Sequence, residues 1–192
     1  MKSVPLIIAG SFLIEEPRFE DSRGWFQQWH QSSSLEDACG FSFPVLQSNI
    51  SHSRAGSIRG IHYSLCEEGQ AKFVTVMRGK IEDFVIDLRV GSPTFGQSEK
   101  VILADSHPRS LIIGPGLGHA FQALEEDTIV SYLLSSEYNP ALELAINPFC
   151  PELSLEWSQK FQHLVSKKDS IAPSLTAQKV NGFLPLWSQS HS

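Results

Sequence analysis

Four stretches of the chain place histidine, lysine or arginine in apolar surroundings, three of them with glycine close by, and proton transfer and anion binding are the chemistry they could support. In Gly114-Pro115-Gly116-Leu117-Gly118-His119, a Pro-Gly turn delivers a histidine into the apolar run that continues through Phe121. In Ile58-Arg59-Gly60-Ile61-His62-Tyr63, preceded by Gln47-Ser48-Asn49-Ile50, polar and apolar residues alternate as on a strand with one face turned to a polar interior. Arg59 and His62 fall on opposite faces of such a strand unless Gly60 introduces a bulge. In Gln70-Ala71-Lys72-Phe73-Val74 a lysine heads an apolar strand, either as a solvent-facing edge charge or as an interior partner for an anion. Around Asp21-Ser22-Arg23-Gly24, flanked by Phe19, Trp25 and Phe26, an Arg-Gly step could offer a guanidinium to a phosphate and a ring to a base; a surface turn pairing Asp21 with Arg23 is the plain alternative. A lone histidine is more often structural than catalytic, but at an ordinary pKa of about 6.5 it is suited to take a proton at neutral pH.

These residues need strands to position them. Between Phe19 and Leu134, short apolar or alternating segments are separated by Gly, Pro, Ser and Asp; Lys72–Met77, Lys80–Leu88, Ser98–Leu103, Ser110–Ile113 and Thr128–Leu134 are the clearest strands. The step through Arg78-Gly79-Lys80 predicts a hairpin of adjacent antiparallel strands. Helical periodicity is confined to Ser33–Ala38, read as a capped first turn after a serine run, and to Leu155–Val165. An all-β barrel or sandwich with short peripheral helices fits, in one domain over residues 1–187 with a loose tail at 188–192.

The 192 residues, 41% hydrophobic and 19% charged, are enough for one buried core. A net charge of −6 with scattered Lys and Arg leaves no footprint for a phosphate backbone, so nucleic acid is excluded as a partner. No apolar run approaches the length of a membrane span and Met1–Ile8 lacks a secretory layout, which predicts a cytoplasmic protein with no membrane partner. Cys39, Cys66 and Cys150 form no Cys-x-x-Cys pair and read as reduced thiols.

The Pro-Gly-x-x-His step resembles the second motif of the cupins, in which that histidine enters the barrel. The first cupin motif carries His-x-His, but here Tyr63-Ser64 follows His62, so a three-histidine metal site cannot be assembled and no metal is expected. The wider pattern is similar to the dTDP-4-dehydrorhamnose 3,5-epimerase family from about Phe19 to Asp169. It rests on Asp21-Ser-Arg-Gly, Gln47-Ser-Asn-Ile-Ser, Arg59-Gly-Ile-His-Tyr, Gln70-Ala-Lys, Gly79-Lys-Ile-Glu-Asp-Phe-Val-Ile-Asp-Leu-Arg, Ser92-Pro-Thr-Phe-Gly, Tyr138-Asn-Pro-Ala-Leu-Glu and Ser166-Lys-Lys-Asp. The order of the strings makes the likeness specific.

The resemblance implies a cupin jelly-roll β-barrel working as a homodimer, with N-terminal segments completing the partner's site, on a dTDP-linked sugar and without a cofactor. It implies His62 as the base, Asp169 as the carboxylate orienting it and Tyr132 as the acid on the far face of the sugar. Lys72, with Arg59 and His119, would stabilise charge on the keto oxygen. Arg23 and Lys168 would hold the diphosphate, Gln47 and Asn49 would reach the nucleotide, Tyr138 would stack on the base, and Glu143 would complete the pocket. Gln28 stands where the family has a glutamate near the nucleotide, and Cys150 stands where an Asp is usual before Pro151.

The implied reaction needs these residue types. In a 4-keto sugar the hydrogens on C3 and C5 are both alpha to the carbonyl, so removing either leaves an enolate with its charge on O4. A base, an oxyanion partner and an acid on the opposite face suffice to invert the centre. Inversion at C3 alone or C5 alone uses the same machinery and is the alternative within this class. A non-catalytic sugar-binding cupin and a metal-dependent cupin isomerase or dioxygenase are the readings outside it.

Overall fold

Six strands between Lys72 and Leu134, with others before and after them, form two sheets packed face to face in the computed structural model, which describes residues 2–187. The tail expected at 188–192 lies outside the described residues. In chain order the strands are β1 (Lys2–Pro5), β2 (Ser11–Glu15), β3 (Arg18–Asp21), β4 (Gly24–Gln27), β5 (Gln47–Ser53), β6 (Ser57–Ser64), β7 (Lys72–Arg78), β8 (Lys80–Asp87), β9 (Ser98–Ala104), β10 (Arg109–Ile113), β11 (Leu117–Ala123), β12 (Thr128–Leu134), β13 (Glu143–Ala145) and β14 (Leu164–Val165). Helices α1 (Ser32–Cys39), α2 (Lys167–Ser170) and α3 (Leu175–Val180) sit at the periphery. The first sheet runs β1-β2-β10-β7-β12-β5; the second runs β13-β6-β11-β8-β9, with β14 parallel to β6. The hairpin β3–β4 forms a separate two-stranded ribbon.

Period-2 alternation sorts the side chains into layers. Val74, Val76, Leu111, Ile113 and Val130 of the first sheet meet Ile81, Val85, Leu103, Leu117 and Phe121 of the second in the core between them. The opposite parity points outward and is also covered. Phe73, Ile112 and Leu133 pack under Leu35 of α1 and Phe43, whereas Ile61, Tyr63, Phe84 and Ile86 pack under Trp157, Leu175 and Leu184. Covering on both faces explains why β8 and β11 are buried at nearly every position, including the polar positions Glu82, Asp83, Asp87, His119 and Gln122.

Two expectations fail. The Gly79 turn does not make a hairpin: β7 pairs with β10 and β12, while β8 pairs with β11 and β9 in the other sheet. Gly79 is a corner between the sheets, at φ +83°, with Thr128 Oγ1 2.6 Å from where a Cβ would stand and its N–H donating to Asp105 Oδ2 at 3.0 Å. The helix expected over Leu155–Val165 is absent. Its apolar spacing serves the outer layer instead: Trp157 sets its ring edge-on to Phe84 at 4.6 Å, the Ser158 amide donates to Glu82 Oε1, and Leu164 and Val165 join β6. The helix expected at Ser33–Ala38 does form, as α1, but its N-cap is Gln31 with no side-chain cap bond rather than a serine.

Candidate active site

Where the two sheets splay, a cleft of about 850 Å³ opens, lined by β5, β7 and β12 on one wall and β6, β11 and β13 on the other. The bulge at Gly60 is present: His119 lies opposite His62 and Phe121 opposite Arg59, so two residues of β6 face one of β11. It brings Arg59 and His62 to the same cleft. Only glycine fits there, because φ is +115° and a Cβ would stand 2.5 Å from the His119 carbonyl oxygen and 2.6 Å from Ala120.

His62 Nε2 lies 2.8 Å from Asp169 Oδ1. Asp169 is buried in α2, where the Ser166 hydroxyl accepts from its amide as the N-cap. Burial pushes the Asp169 carboxyl up, but the hydrogen bond and charge of His62, with Ser166 and the Gly60 amide, outweigh it and hold the group below its usual range. An ionised carboxylate only accepts, so Nε2 carries the proton and the lone pair is on Nδ1.

From the opposite wall, β12 presents Tyr132, whose hydroxyl lies 2.9 Å from Ser51 Oγ of β5. Burial raises the phenol well above its ordinary pKa, with Ser51 pulling it back. It therefore stays protonated at neutral pH. Lys72 Nζ, buried, donates to the His62 carbonyl at 3.3 Å; burial lowers its pKa, against the pull of Glu143 and Asp83. The interior reading of Lys72 is thus the observed one. His119 sets its ring edge to Tyr132 at 6.2 Å, and its Nε2 lies 2.8 and 2.9 Å from the two oxygens of Asp83, with hydrogen-bond geometry at Oδ2 only. Burial raises the Asp83 carboxyl and His119 and Lys72 oppose it.

At the other end of the cleft, Gln47 accepts from the Tyr138 amide at 2.7 Å and donates to Asn49 at 2.9 Å, tethering an exposed Tyr138 ring beside β5. Glu143 accepts from Gln70 at 2.9 Å. Arg59 is braced by Ser53 Oγ and the His52 carbonyl, and Lys168 lines the rim. Arg23 and Gln28 do not reach this cleft. Arg23 is 88% exposed at the tip of β3–β4 and pairs with Asp21 at 2.6 Å, the plain alternative read for that turn.

Asp83 and Ser51 are the site residues that sequence reasoning passed over. Asp83 had a signal: it shares the parity of Ile81 and Val85, a carboxylate on the inward apolar face of a strand. Among the described residues, no three His, Cys, Asp or Glu side chains converge as a metal-binding group.

The dTDP-4-dehydrorhamnose 3,5-epimerase family model matches residues 5–177. A dTDP-4-dehydrorhamnose 3,5-epimerase of Mycolicibacterium smegmatis is 41% identical over 97% of this chain and 92% of its own length. The solved rmlC epimerase of Mycobacterium tuberculosis superposes with a TM-score of 0.95 at 38% identity, covering 99% of this chain and 96% of that one. A 3'-monoepimerase from Streptomyces bikiniensis in complex with dTDP-quinovose gives 0.91 at 39% identity, covering 97% and 93%. The fold is the all-β, cupin-like jelly roll that the sequence predicts. With a match of this extent in sequence and in structure, the chain belongs to the dTDP-4-dehydrorhamnose 3,5-epimerase family.

Proposed function

We propose that this protein is an isomerase that epimerises a dTDP-linked 4-keto-6-deoxyhexose through an enolate, in deoxysugar biosynthesis. One observation carries the reading: the His62–Asp169 pair stands on one wall of the cleft and Tyr132 on the other. His62 Nδ1 takes the proton alpha to the carbonyl, and the charge that moves to O4 is met by Lys72, Arg59 and His119. Tyr132 then protonates the carbon from the opposite face. A positioned acid or base contributes about 10² to 10⁴ in rate and an oxyanion donor about 10² to 10³.

Gln47, Asn49 and Tyr138 serve the nucleotide, Lys168 the diphosphate, and Glu143 the pocket edge. Arg23 and Gln28 belong to this reading through a second copy of the chain. The ribbon that carries Arg23 also exposes Phe19, Trp25 and Phe26 away from its own cleft, an apolar face suited to a homodimer. The three free cysteines support a reducing, cytoplasmic compartment, and no helix among the described residues is long and apolar enough to cross a membrane.

The test is incubation with dTDP-4-keto-6-deoxyglucose in deuterated water, reading label and configuration at C3 and C5 by NMR. His62→Ala should abolish exchange and inversion together. Tyr132→Phe should still admit deuterium with retained configuration while inversion falls by about 10²-fold or more. Equal loss of both in Tyr132→Phe, or surviving exchange in His62→Ala, would overturn the assignment. Inversion at C3 alone is the second reading, favoured by the likeness to the 3'-monoepimerase, and the same spectra decide it.

A further inference from the structure

After Tyr132 gives its proton away, the site holds a phenolate enclosed by His119 and Phe121, each ring centroid just over 6 Å from its own. That oxygen needs a donor at once and a proton before the next inversion. Among the described residues its hydrogen-bond partner is the hydroxyl of Ser51, at 2.9 Å. Ser51 reaches it diagonally, since Asn49 is the residue of β5 directly opposite Tyr132 and Ser51 is opposite Val130. Strand β5 is the edge of the first sheet, and Ser51 is half-buried, with one side on the phenol and another in the cleft. A serine hydroxyl both donates and accepts, which alanine cannot do.

We infer that Ser51 is the positioning residue for the Tyr132 acid and the group through which its proton returns. This rests on the assignment of Tyr132 as the acid. In the return step the Ser51 O–H bond breaks as the Tyr132 O–H bond forms, and Ser51 Oγ takes a proton from a water in the cleft. The hydroxide so left is neutralised by the proton that His62 releases to solvent. No net charge accumulates. The same bond fixes the direction of the phenol, which at rest must point across the cleft at a carbon rather than along the strand. Ser51 also draws the Tyr132 pKa down against burial, the direction needed for a group that must ionise in each cycle.

The experiment compares wild type, Tyr132→Phe, Ser51→Ala and Ser51→Thr in deuterated water, measuring exchange and inversion at C3 and C5 with KM. In Ser51→Ala, exchange and KM should hold while inversion falls about tenfold, the scale of one lost hydrogen bond to a charged group. Ser51→Thr, which keeps the hydroxyl and suits a strand, should return inversion to within about twofold of wild type. Unchanged inversion in Ser51→Ala overturns the proposal. So does a raised KM with exchange and inversion lost together, which would make Ser51 a substrate contact, and so does Ser51→Thr behaving as Ser51→Ala. Failure of the underlying reading is seen separately, as Tyr132→Phe inverting at the wild-type rate, an arm in which Ser51 is untouched.

Discussion

His62 and Asp169 stand 107 residues apart in the chain and 2.8 Å apart in the cleft. The contact is built by a helix of one turn: Ser166 caps α2, the cap fixes Asp169, and Asp169 fixes the imidazole. Asp169→Asn keeps the shape but removes the charge that selects the Nε2–H tautomer and stabilises the protonated ring. We expect kcat to fall by about 10²-fold or more with KM little changed, as for removal of an interaction made in the transition state. A kcat near the wild-type value in steady-state assays would show that the carboxylate does not serve the base. Because Asp169 is held below its ordinary pKa, its contribution to stability is present above about pH 4 and is lost as pH falls further.

Lys72 tests the oxyanion. Its ammonium is buried beside the His62 carbonyl, with Glu143 and Asp83 near enough to favour its charge. Lys72→Gln should slow deuterium exchange at C3 and C5 alike, by about 10² to 10³, because both enolates place charge on O4. Loss at one carbon only, seen by NMR, would move Lys72 from the oxyanion to a positioning role.

Gly60 is the hinge on which Arg59 and His62 share a cleft. A methyl group there meets the His119 carbonyl at 2.5 Å in a backbone region that L-residues seldom occupy. Gly60→Ala should lower stability by about 2 to 4 kcal/mol and reduce activity by separating the two side chains. A melting temperature equal to that of the wild type would show that β6 can relax without its bulge.

Much of this was legible from local pattern. The strand runs are legible because alternation is a local property, and His119 is legible because a Pro-Gly turn announces where a strand begins. Arg59 with His62 could be read only conditionally, since their parity depends on a bulge that the single residue Gly60 signals. Gly79 misled because a glycine corner between sheets and a hairpin turn use the same backbone freedom, and only the pairing partners distinguish them. The Leu155–Val165 spacing misled because Leu155 and Trp157 cover the outside of a sheet from an irregular segment, and only Leu164 and Val165 enter a strand ladder. Asp169 was reached through family likeness, since nothing near it in sequence points to a histidine 107 positions away.

Glu16 yields a pH dependence separate from catalysis. It follows β2, is buried, and accepts from Gln27 of β4 at 2.5 Å, while Gln27 in turn accepts from Arg18; its Oε1 has no hydrogen-bond partner among the described residues. Burial lifts its pKa from 4.5 to about 7, against the pull of Ser110, Gln27 and Arg18. The folded chain therefore holds this proton where the unfolded chain has released it. The sign follows: the stabilisation is complete below about pH 4.5, declines as pH rises towards 7, and is gone above, a change on the order of 3 kcal/mol. Glu16→Gln is neutral at every pH and should lose this slope. It should melt close to wild type at pH 5 and several degrees higher at pH 8, since each kcal/mol is worth about 2 to 4 °C in a chain of this size. Melting curves of the two proteins that stay parallel from pH 5 to 8 would show that Glu16 ionises as freely in the fold as out of it.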